Sequence, residues 1–161
     1  MIGMPGAGKS TIGVLLAKAL GLDFVDTDLI IQRREGRTLQ EIIDTDGLER
    51  FIGLEDEIVS GVTAPHSVIA TGGSVVYGER AMRTLGSQGR IVYLRARLDT
   101  IVGRVSDITT RGVAMSPGQK LGDVYENRCP LYERYADITV DVDLGSIEQT
   151  VAGLVKALKD R

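Results

Sequence analysis

The chain has 161 residues, a net charge of −3, a pI of about 5.2 and 43% hydrophobic residues. That length suits one domain around one core, and the acidic balance argues against a nucleic-acid partner, which wants a basic face. A single cysteine, Cys129, and a single histidine, His66, exclude a disulfide framework, a cysteine-rich zinc site and histidine-based metal chemistry. No apolar run approaches the roughly 20 residues of a membrane span, and no secretory leader is visible, so no membrane partner and a cytoplasmic setting are expected. The chain has 20 glycines against 5 tyrosines, 2 phenylalanines and no tryptophan, which favours a layered α/β protein with tight turns over an aromatic-cored sandwich.

In chain order, Ile12, Leu15, Leu16, Ala19 and Leu20 recur at helical spacing and predict a helix over 9–20, with Gly21 at its C-terminal cap. Asp23–Val25 reads as a short extended stretch. Thr38-Leu-Gln-Glu41 is a capping box that opens a second helix, and 48–62 reads as a third. Ser67–Thr71 and Arg90–Leu94 read as buried strands by their β-branched runs, and 98–105 reads as a helix. Residues 106–118 lack periodicity and carry Gly112, Pro117 and Gly118, so a mobile loop is expected there. A helix running to about Tyr135, a strand at Ile138–Val142 and a capped helix after Ser146 complete the chain. This alternation predicts a parallel sheet with helices on both faces. Only Met1 and Ile2 precede the first glycine, fewer than the roughly five residues of a central strand, so the first strand is expected to be truncated.

The segment Gly3-Met-Pro-Gly-Ala-Gly-Lys9-Ser10 matches G-x-x-x-x-G-K-[ST] and opens the first predicted helix. Its glycines let backbone N–H groups converge on phosphate oxygens, Lys9 supplies a point charge for the β- and γ-phosphates, and the Ser10 hydroxyl suits Mg²⁺. Downstream, Phe24-Val-Asp26-Thr-Asp28 sets two carboxylates two residues apart at a strand end. One would hold Mg²⁺ and the other would take the proton of an attacking hydroxyl. A plain cap of the next helix is the competing reading of that pair.

Four segments in this order, Gly-Ala-Gly-Lys-Ser-Thr-Ile-Gly at 6–13, Phe-Val-Asp-Thr-Asp at 24–28, Ala-Thr-Gly-Gly at 70–73 and Arg-Cys-Pro-Leu-Tyr at 128–132, resemble the shikimate kinase family. The resemblance implies a single domain over 1–161 with the three-layer P-loop kinase fold. It implies a five-stranded parallel sheet of order 2-3-1-4-5 and a lid over about 106–118. It implies transfer of a phosphoryl group from ATP, with Mg²⁺, to a hydroxyl of shikimate or a similar polyol, by a monomer. Gly3, Gly6, Ala7, Gly8, Lys9, Ser10 and Thr11 would bind the nucleotide, and Ser10 and Asp26 the metal. Lys9, Asp28 and Arg111 would be catalytic, with Arg111 reaching the transferring group from the lid and Arg104 packing on adenine. Asp28, Gly72, Gly73 and Arg128 would hold the acceptor.

The departures fall on the acceptor side. Ile52 stands where the family carries a carboxylate-binding arginine, Ser74 replaces the third glycine of a turn, and Gly112 follows the lid arginine in place of proline. Arg80 or Arg83 is the candidate replacement cation. Glu55 is expected to be an exception within an otherwise solvated acidic run, because the family orients an arginine with it. His66 reads as a turn residue and Cys129 as a small packed one. The departures leave open a relative acting on another small alcohol, and a nucleotide-binding module without kinase activity.

Overall fold

Met1 and Ile2 alone stand ahead of the glycine-rich loop, yet their backbone lies between the inner strands of the fold. The computed structural model describes residues 1–105, 113–116 and 118–159. The Met1 ammonium donates to Ile69 O (2.6 Å) and Thr71 N to Met1 O (3.3 Å). On the other side Ile2 N donates to Val92 O (2.8 Å) and Leu94 N to Ile2 O (3.0 Å).

Strand β1 (Asp23–Asp26) pairs in parallel with β2 (Ser67–Ala70), and β3 (Val92–Arg95) pairs in parallel with β4 (Ile138–Asp141). Among the described residues the assigned strands form two two-stranded parallel sheets, with an isolated bridge between Ile2 and Tyr93, and the expected five-strand order is not shown by them.

The helices are α1 (Lys9–Leu20), α2 (Thr27–Glu35), α3 (Leu39–Asp46), α4 (Leu48–Ser60), α5 (Glu79–Gln88), α6 (Leu98–Val105), α7 (Leu121–Tyr135) and α8 (Ile147–Lys159). The α3 capping box forms as expected, with Thr38 Oγ1 accepting from Glu41 N and Glu41 Oε2 accepting from Thr38 N. Helix α1 packs on β1, β2 and α8. Two helices were not legible. In α2 the apolar residues Leu29, Ile30 and Ile31 are consecutive, so they show no helical period. In α5 the buried set Ala81, Met82 and Leu85 is short and lies among Gly78, Gly86 and Gly89.

The main core gathers Ile2, Met4, Leu16, Tyr93, Leu94, Ile101, Tyr132 and Leu154. A second cluster of Ile31, Leu39, Ile42, Phe51, Leu54 and Ile58 joins α2, α3 and α4. Tyr132 is fully buried, stacks on Tyr93 with ring centroids 5.1 Å apart, and donates to Gly73 O at 2.6 Å. Replacing Tyr132 by Phe keeps the packing and strands that carbonyl. The expected cost is about 1–2 kcal/mol, a fall in Tm of roughly 3–6 °C in thermal denaturation.

Candidate functional site

The loop between Ile2 and α1 bends through backbone that favours glycine, with φ of 82° at Gly6 and 92° at Gly8. Gly8 is the N-cap of α1 and no side chain caps that helix, so its first N–H groups stay available to an anion. Lys9 is buried rather than standing in open solvent as a free charge. Its Nζ donates to Gly3 O (2.7 Å) and Met4 O (2.9 Å), clamping the loop from inside. Burial pulls the Lys9 ammonium down to about 8, an effect that the carboxylates of Asp28 and Asp26 oppose.

Asp26 ends β1 and caps α2. Its Oδ1 accepts from Asp28 N (3.0 Å) and its Oδ2 accepts from Ser10 Oγ (2.8 Å). Asp28 therefore lies in the first turn of α2, and strand alternation does not orient it. The cap and the Ser10 contact coexist, because each uses a different oxygen of Asp26. Ser10 and Asp26 form an oxygen-only pair on the cavity wall. That suits Mg²⁺, which is held by one or two carboxylates together with phosphate oxygens and needs no larger acidic cluster.

A single cavity of about 670 Å³ runs from Gly6, Ala7, Gly8, Lys9, Ser10 and Thr11 past Asp26 and Asp28 to Gly72, Gly73, Ser74, Glu55 and Arg128. The Gly72–Gly73 turn after β2 needs its bare backbone. A Cβ on Gly72 would fall 2.5 Å from Glu55 Oε1 and 2.8 Å from Asp28 Oδ1, and one on Gly73 would fall 2.8 Å from Pro5 Cδ. Arg104 of α6 lines the cavity and donates from Nη1 to Gly6 O at 3.1 Å. Gly3 sits behind the loop, where a Cβ would meet Leu94 O at 2.6 Å, and is not on the cavity wall. Arg111 and Gly112 lie outside the described residues, as does most of the expected lid.

Arg128 of α7 is 1% exposed. Its Nη2 donates to Ala114 O (2.5 Å), its Nε donates to Tyr77 Oη (3.4 Å), and its guanidinium carbon lies 5.3 Å from the Tyr77 ring centroid. Glu55 of α4 is also 1% exposed, and its Oε2 accepts from Ser74 Oγ at 2.5 Å. Burial lifts its carboxyl from 4.5 to about 7. The proposed replacement cations do not enter. Arg80 Nε donates to Asp56 Oδ2 (2.9 Å) on the exposed side of α4, and neither Arg80 nor Arg83 lines the cavity. Sequence reasoning missed Phe51 as a cavity wall. Its place one helical turn before Glu55, at i and i+4, was the available signal. It also missed Val142, Gly145, Ile147 and Thr150 on the rim, for which the sequence carries no motif.

The family model for shikimate kinase matches residues 5–159. The shikimate kinase of Thermobifida fusca is 36% identical over 160 residues, covering 98% of this chain and 92% of that protein. That of Thermodesulfovibrio yellowstonii is 35% identical over 159 residues, covering 97% and 91%. Among solved structures, the shikimate kinase from Acinetobacter baumannii in complex with shikimate superposes with a TM-score of 0.85 at 29% identity, covering 98% of this chain and 90% of that one.

The raised carboxyl of Glu55 has a consequence for stability. Between 4.5 and about 7 the folded state holds a proton that the unfolded state has released, so the fold loses stability as pH rises through that window. Glu55→Gln removes the loss. The variant is expected to gain on the order of 2 kcal/mol relative to wild type at pH 8 and little at pH 4.5, read from thermal denaturation at the two pH values.

Proposed function

The chain belongs to the shikimate kinase family, and we propose that it transfers the γ-phosphoryl group of ATP to a hydroxyl of shikimate, with Mg²⁺. The observation that carries this reading is the single cavity. It joins the glycine loop, Lys9 and the Ser10–Asp26 pair at one end to Asp28, Gly72, Gly73 and Arg128 at the other. A phosphate acceptor placed at the second end faces a nucleotide held at the first.

Each residue has a role in this reading. The N–H groups of Gly6, Ala7, Gly8, Lys9, Ser10 and Thr11, with Gly3 as the hinge behind them, cradle the phosphates. Lys9 neutralises charge on the transferring group, and phosphate oxygens compete for its Nζ against Gly3 O and Met4 O. Ser10 and Asp26 would hold Mg²⁺, which would supply positive charge against the phosphates. Asp28 orients the acceptor hydroxyl and takes its proton. Gly72 and Gly73 let the acceptor approach the backbone, and Arg128 meets its carboxylate. Arg104 packs on adenine, and Arg111 reaches the transferring group from a lid over about 106–118. The domain is the single P-loop kinase unit 1–161, monomeric and cytoplasmic. Its strands follow the order 2-3-1-4-5, with Met1–Ile2 belonging to the first strand; the hydrogen bonds of Met1 and Ile2 to the two inner strands support this order.

ADP release coupled to a spectrophotometric assay tests the function. Shikimate-dependent turnover is expected, and turnover with another small alcohol but none with shikimate would overturn the substrate assignment. Lys9→Ala should lower kcat by at least about a hundredfold while the protein still folds, with Tm lower by a few degrees because Gly3 O and Met4 O lose their donor.

A further inference from the structure

The acceptor end of the cavity holds two buried polar atoms that no protein group satisfies, Glu55 Oε1 and Arg128 Nη1. Both face the same glycine turn. A Cβ on Gly72 would lie 2.5 Å from Glu55 Oε1, and one on Gly73 would lie 3.1 Å from Arg128 Nη1. Unpartnered groups this deeply buried are costly, so the geometry is one that a ligand completes. Ile52, three residues before Glu55, adds no charge, and Ser74 Oγ occupies Glu55 Oε2. Oε1 is thereby the oxygen left to face the ligand.

We propose that Glu55, fixed by Ser74, is a specificity-determining residue whose Oε1 carries a proton and donates it in a hydrogen bond to the acceptor's carboxylate, beside Arg128 Nη1. The inference rests on the shikimate reading of the site and deepens it. Charge balance supports it. Lys9 and Arg128 are the cations facing Glu55, Asp28 is the facing anion, and Ser74 is the neutral donor. Arg80 on α5 is turned to Asp56, and Glu41 on α3 is taken up by Thr38. With Lys9 engaged by phosphate, Arg128 alone faces Asp28 and an incoming carboxylate, so a neutral Glu55 adds no further negative charge there and an ionised one does. The carboxyl's lift to about 7 makes that proton available at neutral pH. No bond is broken in this step. Binding takes up one proton from solvent wherever Glu55 is ionised in the free protein.

The test is the KM for shikimate against pH, measured with saturating MgATP. In wild type it should rise about thirtyfold between pH 6 and pH 8.5, with kcat changed less. The KM for MgATP should not follow the same curve, which separates Glu55 from Lys9. Glu55→Gln donates from its amide Nε2 at every pH and should flatten the profile while keeping KM near the low-pH wild-type value. Ser74→Ala removes a hydrogen bond that favours the ionised carboxylate, so the midpoint of the profile should move up by about half a pH unit or more. This second arm stands even if Glu55→Gln fails to fold. A wild-type slope retained in Glu55→Gln, a midpoint unmoved in Ser74→Ala, or a tenfold higher KM at all pH values in Glu55→Gln would overturn the proposal. The last of these marks an ionised Glu55 accepting from a hydroxyl. Wild-type turnover of shikimate with a flat KM profile sinks this inference alone, whereas no turnover of shikimate at pH 6 sinks the kinase reading and this inference with it.

Discussion

A guanidinium with 1% exposure imposes a demand on everything near it. Taking Arg128 out of water costs several kcal/mol unless its N–H groups are met, and the acceptor end of the molecule is arranged around meeting them. Ala114 O takes Nη2 and Tyr77 Oη takes Nε, so the short segment after Arg111 and the 3₁₀ turn at Val75–Tyr77 are both fastened to α7. One helical turn later on the same face, Tyr132 ties α7 to Gly73 O. Through these bonds a single helix fixes the position of the Gly72–Gly73 turn, and with it the wall of the cavity.

The turn in turn sets how close the carboxylates can come. Glu55 arrives from α4 and Asp28 from α2, and both crowd the place where a side chain on Gly72 would sit. Burial raises the proton affinity of Glu55, and the Asp28 carboxylate beside the same bare backbone adds to that rise. Lys9 from below the loop and Arg128 from α7 counter the effect without cancelling it. The proton affinity of Glu55 thus belongs to four elements brought together, α1, α2, α4 and α7, and to no single helix.

This division explains what could be read from the amino-acid sequence. The phosphate loop was legible residue by residue because its chemistry is carried by consecutive backbone groups, and the α1, α3 and α8 boundaries followed from local capping and spacing. The pairing of Ser10 with Asp26 was legible as a pairing of types. Its geometry was not, because Asp26 leaves a strand to cap a helix whose apolar residues run consecutively. Glu55 was singled out by resemblance. Its bond to Ser74, 19 residues away, has no local signature, and neither has the cavity wall made by Phe51. Arg80 stays out of the cavity for a related reason: Asp56, next to Glu55 in sequence, is turned about 100° around α4 toward α5 and holds the Arg80 guanidinium there.

The two ends of the cavity also differ in what their recognition is made of. At the glycine-loop end the donors are backbone N–H groups and a helix terminus, which survive most substitutions as long as the glycines keep their conformation. At the other end the donors and acceptors are side chains, Glu55, Ser74, Asp28 and Arg128, whose charges are coupled around the buried pair Glu55 and Arg128. A change in one of them shifts the others. Ile52 brings no positive charge to that balance, and the Ser74 hydroxyl brings none either; it only holds one oxygen of Glu55. The physically consistent response is for the carboxyl to take a proton instead of a counter-ion. A buried acid neutralised in this way keeps a directional donor facing the acceptor, at the cost of making recognition depend on pH.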